Sequence, residues 1–153
     1  MFDNGFHKGL EIIKELSEVL TAKEIISLEG VGSPTAESGR IFYYTTADGA
    51  VSKKLSNIAS PLQEGIIVGV TGALLAKSIK TPVVALFAEA KSNLPDSKAA
   101  AIIIEALDAY TGLQVDPKPL LKQAQIFEKK LKGIIEKTQQ AEKIQEDKLS
   151  YVG

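Results

Sequence analysis

A chain of 153 residues, 44% hydrophobic and 24% charged, suits one globular domain with a real core. Its net charge is −1 and it holds one arginine, Arg40, among 18 basic residues, which argues against nucleic acid or an anionic membrane as partner. The absence of cysteine excludes disulfides, thiol catalysis and zinc–thiolate sites. No apolar run reaches the roughly 18 residues of a membrane span. The opening MFDNGFHKGL lacks a basic stretch followed by an apolar one, so no signal peptide is expected, and the expected location is cytoplasmic.

Taken in order, Leu10, Ile12, Ile13, Leu16, Val19 and Leu20 recur at helical spacing and predict a helix over 8–20. KEIISL (23–28) is short and apolar and reads as a buried strand, with a Gly/Ser/Pro/Thr-rich loop over 30–39. RIFYYTT (40–46) is β-branched and aromatic and reads as a second strand, whose Tyr43 and Tyr44 must face opposite sides. Asp48 is placed to cap a short helix over 50–58. EGIIVGV (64–70) reads as a third strand, with Thr71 as N-cap of a helix over 72–80. PVVALFA (82–88) is the fourth strand. Asp96 caps a helix from 97 to about 110, stopped at Thr111-Gly112.

Pro117 and Pro119 open a final helix running to about 147. Its residues Leu120, Ala124, Phe127, Leu131 and Ile134 are spaced 4, 3, 4, 3, a weak coiled-coil seam. They suit either packing on the sheet or pairing with another copy. Beyond Thr138 the helix is almost entirely polar and is expected to project or to meet a partner chain. The division expected is an α/β domain over 1–116 and a helix with tail over 117–153.

Chemistry-bearing residues are sparse. Gly69-Val70-Thr71-Gly72 is expected after a strand at the opening of a helix, where backbone N–H groups favour an anion. It matches neither a P-loop nor a dinucleotide fingerprint, and a tight turn needing small residues explains it more simply. Glu29, followed by Gly30, and Glu89 are each expected just past the carboxyl end of a strand, the ligand-binding edge of an open parallel sheet. Two carboxylates there suit acid/base work or a hard cation. No histidine accompanies them and no arginine clamp is expected nearby, so solvated or capping roles are the simpler reading. His7, the sole histidine, has no acidic or nucleophilic sequence neighbour and is expected at the surface. The chain closes on Leu149-Ser150-Tyr151-Val152-Gly153, and such an apolar, aromatic end suits docking into a partner pocket.

Together EGIIVGVTGALL (64–75), VVALFAEA (83–90), PDSKAAAIIIEAL (95–107) and TGLQVDPKPLLKQAQIFEKKL (111–131) resemble the proteasome assembly chaperone family in its archaeal and bacterial branch. IISLEGVG (25–32) and the closing Tyr151-Val152-Gly153 fit as well, so the likeness runs from about residue 8 to the end. The resemblance implies an α/β fold like that of nucleoside phosphorylases and related hydrolases: a mainly parallel sheet flanked by helices in three layers, with a long C-terminal helix. Family members are oligomeric. Eukaryotic and some archaeal relatives bind proteasome α subunits and guide core-particle assembly without ATP, and some insert a hydrophobic-Tyr-any-residue tail between α subunits. Relatives usually carry further strands and helices ahead of the point where this chain starts, so residues 1–116 are read as incomplete relative to the family. Tyr151 stands third from the end rather than penultimate.

The resulting expectation is a non-enzymatic binding protein for 20S proteasome α subunits, self-associating and without cofactor or metal. Leu149, Tyr151, Val152 and Gly153 would dock. The alternative is a phosphorylase- or hydrolase-like enzyme, or a small-anion binder, using Glu29, Gly30, Gly69, Thr71, Gly72 and Glu89.

Overall fold

The computed structural model describes residues 3–33, 39–77, 79–91 and 96–150. Among them the order of elements is α1 (Asp3–Val19), β1 (Ile25–Ser33), β2 (Ile41–Thr45), α2 (Gly49–Leu55), β3 (Ser60–Pro61), α3 (Gly69–Ala76), β4 (Val83–Lys91), α4 (Ser97–Thr111) and α5 (Lys118–Ser150). The strands form one sheet in the order β1-β4-β2-β3. β1 runs parallel to β4 and β2 parallel to β3, while β2 meets β4 antiparallel, so the sheet is mixed and mostly parallel.

β4 is central because its sequence suits burial on both faces. Val83, Val84, Ala85, Leu86, Phe87 and Ala88 are all essentially inaccessible. Side chains alternate along it. Val84, Leu86 and Ala88 join Ile41 and Tyr43 of β2, Leu55 of α2, and Ala99, Ile103, Ala106 and Tyr110 of α4 in the larger core. Val83 instead packs with Leu10 of α1 and Leu74 of α3. Helices therefore cover both faces, giving the expected three layers, and α5 lies outermost against α4.

α4 follows its sequence signals closely. The Asp96 carboxylate accepts from the Lys98 and Ala99 N–H groups, and Gly112 ends the helix in the left-handed region. Asp48 caps α2 in the same way. Tyr43 is buried with its hydroxyl on the Ser52 carbonyl at 3.2 Å, whereas Tyr44 is half-exposed on the other face. Tyr110 donates to the Glu24 carboxylate at 2.6 Å and carries the Lys54 ammonium 4.7 Å above its ring, tying α4, the entry to β1 and α2 together. Burial, and then the Glu24 hydrogen bond and charge, push the Tyr110 phenol well above its usual range.

Three expectations are corrected. Residues 64–70 are not a strand. The ladder beside β2 holds only Ser60 and Pro61, and after Leu62 donates to the Tyr43 carbonyl the chain leaves the sheet, with Ile66 and Val68 exposed. β-branched residues without a strand beside them have no ladder to join. β1 is longer than expected, because residues 30–33 pair in register with residues 88–91 of β4 instead of starting a loop. Thr71 is not an N-cap: α3 opens at Gly69, whose φ of 77° sets the turn, and Val68 occupies the cap position without a side-chain bond.

Candidate functional site

The sheet edge named by the sequence is built from β1, β4, the start of β2 and the start of α3. Register places Glu29 opposite Phe87 and Val31 opposite Glu89, so Glu29 and Glu89 share one face. Both lie within strands rather than past their ends, which corrects the expected placement. The expected lack of an arginine is corrected too. Arg40, just ahead of β2, donates from Nε to Glu89 Oε2 and from Nη2 to Oε1, each at 2.7 Å. The antiparallel ladder brings it there: the Glu89 N–H donates to the Arg40 carbonyl at 3.0 Å. The guanidinium carbon also lies 5.9 Å from the Phe42 ring centroid.

Glu89 is buried while the Arg40 side chain is 58% exposed. A bidentate clamp of this kind is short and strong. Removing one member of a buried pair costs about 3–5 kcal/mol, but an exposed partner is screened. Arg40→Ala is therefore expected to lower stability by about 2 kcal/mol in urea denaturation, with part of the loss recovered on adding Glu89→Gln. A loss near zero would show that this carboxylate does not depend on Arg40.

The other candidate groups at this edge are engaged in the fold. The Thr71 hydroxyl is buried and hydrogen-bonded to the Ser27 hydroxyl at 2.5 Å, joining α3 to β1. A Cβ on Gly72 would stand 2.4 Å from the Ile67 carbonyl oxygen. Gly69 supplies the positive φ of the turn. Gly30 lines a cleft of about 290 Å³ with Leu28, Ala88, Ala90, Ala99 and Ile103 on the opposite face. His7 is exposed, with Nδ1 3.4 Å from the Lys77 ammonium. Among the described residues no group of three or more His, Cys, Asp and Glu is placed to hold a metal ion, and no helix is long and apolar enough to cross a membrane.

α5 is the second candidate surface. Its 33 residues make a rod about 50 Å long at 1.5 Å per residue. Leu121, Ala124, Glu128, Leu131 and Ile135 form a half-buried row, and the Glu128 carboxylate accepts from the Ser97 hydroxyl and N–H at the start of α4. The predicted seam is thereby divided. Ala124 and Leu131 lie in the half-buried row, while Phe127 and Ile134 are 60% and 61% exposed, a heptad apart. Ile126 is exposed as well. The side chains of Leu120 and Leu149, and residues Tyr151, Val152 and Gly153, lie outside what the structure describes. Sequence reading missed the Glu128 contact, although its place in the 3-4 spacing of Leu121, Ala124, Leu131 and Ile135 was visible.

The fold and this surface define a three-layer α/β protein carrying a long helix with exposed apolar side chains. The chain belongs to the PAC2 family, whose model matches residues 10–135. It is similar in structure to Pyrococcus furiosus PbaA, an archaeal homolog of proteasome-assembly chaperone, at 26% identity and a TM-score of 0.73 over 89% of this chain and 63% of that one. A Thermoplasma acidophilum protein with unknown function matches at 20% identity and a TM-score of 0.69, over 95% and 60% of the two chains. Pyrococcus furiosus PbaB, an archaeal proteasome activator, matches at 20% and 0.65, over 85% and 58%. The last two likenesses bear on fold alone. This chain spans less than two thirds of the length of each. No curated protein matches it.

Proposed function

We propose that this protein is a non-enzymatic, chaperone-like factor of proteasome assembly that binds 20S α subunits, acts as an oligomer in the cytoplasm and needs no ATP. Family membership and the likeness to PbaA support the proteasome link. The observation that carries the reading is α5, a helix packed on α4 along one row while Ile126, Phe127 and Ile134 stay exposed. Residues 1–116 serve as the body and 117–153 as the arm, with Leu149, Tyr151, Val152 and Gly153 as its docking end. Of the expected seam, Leu120, Phe127 and Ile134 meet a second copy or an α subunit, while Ala124 and Leu131 lie in the half-buried row.

The enzymatic alternative draws no comparable support. Its carboxylate Glu89 is clamped by Arg40, and its hydroxyl, Thr71, is bonded to Ser27. Deleting residues 149–153 is expected to weaken binding to α subunits by roughly tenfold or more, about 1.4 kcal/mol, with Tm unchanged. Calorimetric titration reads the affinity; equal binding by the shortened chain would remove the tail from the proposal.

A further inference from the structure

The sheet ends on one side in the two-residue β3, which closes on a proline, and on the other in the nine-residue β1. Among the described residues β1 pairs only with β4, so its outer edge presents a row of backbone donors and acceptors. Edges of this length are ordinarily blunted by lysine, proline or a bulge. Ile25–Ser33 contains neither lysine nor proline and pairs with β4 in unbroken register. Leu28 and Val31 are exposed on its two faces, at 42% and 37%.

We propose that β1 pairs antiparallel with β1 of a second copy across a two-fold axis, joining two sheets into one. Self-pairing satisfies both open edges at once, which is the economy of an isologous interface. The residues also select a register. Centred on Leu28, the pairing sets Glu29 opposite the second copy's Ser27, a hydroxyl donor for the carboxylate, and keeps the two Glu29 charges from meeting directly. It sets Val31 opposite Ile25 on one face. On the other it sets Ile26 opposite Gly30, where the missing side chain leaves the apolar cleft of about 290 Å³ beside α4. A strand pair alone is small beside the roughly 1,200–2,000 Å² of a stable interface. α1 supplies more: it feeds directly into β1, Ile13 packs in one cluster with Ile25, and Ile12, Leu16 and Val19 stay exposed along it. The two-fold places both copies of α1 on the same face of the joined sheet.

The absence of native cysteine makes the test clean. The full chain is expected to run as a dimer in light scattering at tens of micromolar. A Leu28→Cys variant is expected to form a covalent dimer under mild oxidation, as the on-axis position requires, whereas Ser60→Cys on the other edge stays unlinked. Leu28→Lys, at an exposed site that leaves the fold intact by circular dichroism, is expected to be monomeric, and Phe127→Asp is expected to remain dimeric. A monomeric full chain would overturn the proposal. So would a dimer that survives Leu28→Lys and dissociates with Phe127→Asp, since that places the contact on α5. The assay involves no α subunit, so its failure leaves proteasome binding to its own test.

Discussion

Gly72→Ala is expected to destabilise the protein by about 3 kcal/mol, the upper end of what overpacking costs. The added Cβ would stand 2.4 Å from the Ile67 carbonyl oxygen and 3.0 Å from its carbon. The obstacle is backbone and not the end of a flexible side chain, so relief requires moving either α3 or the segment before it. α3 does not move freely. Thr71 is anchored to Ser27, and Val70 and Leu74 pack in the cluster with Leu10 and Val83. Gly133→Ala in α5 is the matched control, because nothing lies within 4 Å of its added Cβ. There the change removes backbone freedom from the unfolded chain and is expected to stabilise by roughly 0.5–1 kcal/mol. Urea midpoints that moved the same way for both variants would contradict this account of the turn.

Phe87→Ala is expected to cost about 3–5 kcal/mol. Phe87 is the largest of the fully buried side chains and pairs with Glu29 of β1 on one side and Phe42 of β2 on the other. Its removal leaves a cavity in the central strand, two residues before Glu89 on the same face. A domain of this kind has roughly 5–15 kcal/mol in total, so the variant should stand near the limit of folding at 37 °C. Phe127→Ala, on the exposed side of α5, is expected within about 0.5 kcal/mol of the parent. A small effect at Phe87 together with a large one at Phe127 would mean that the core lies elsewhere.

The elements that were legible in the sequence are those whose signals are local. α4 carries its cap, its apolar period and its glycine stop within residues 96–112, and all three act as written. β4 announces itself by a run of apolar residues too short for a helix, and the Tyr43–Tyr44 pair divides between faces as strand alternation demands. What failed depended on neighbours. Residues 64–70 have the composition of a strand, but the ladder beside β2 ends at Pro61, so propensity found no partner. Residues 30–33 have the composition of a loop, yet β4 was long enough to pair with them. The Arg40–Glu89 clamp joins residues far apart in sequence and forms only because β2 runs antiparallel to β4, which no local pattern encodes. In α5 the heptad spacing alone does not mark which row packs. The row that packs is shifted from the predicted seam, toward Leu121, Glu128 and Ile135, which left Phe127 and Ile134 outside.

That shift gives the functional proposal its physical content. Phe127 and Ile134 are exposed on α5, so removing them is expected to cost little stability, and both lie on the surface proposed to meet a partner. Body and arm can therefore be tested separately: Phe87 and Gly72 report on folding, whereas Phe127, Ile134 and residues 149–153 report on binding.

The most direct measurement is native mass spectrometry of the full chain mixed with archaeal 20S proteasome α subunits, beside the same mixture lacking residues 149–153. The account predicts a stable complex with the full chain and its weakening with the shortened one, both proteins being equally folded. A folded full chain that forms no complex with α subunits at any ratio would contradict it.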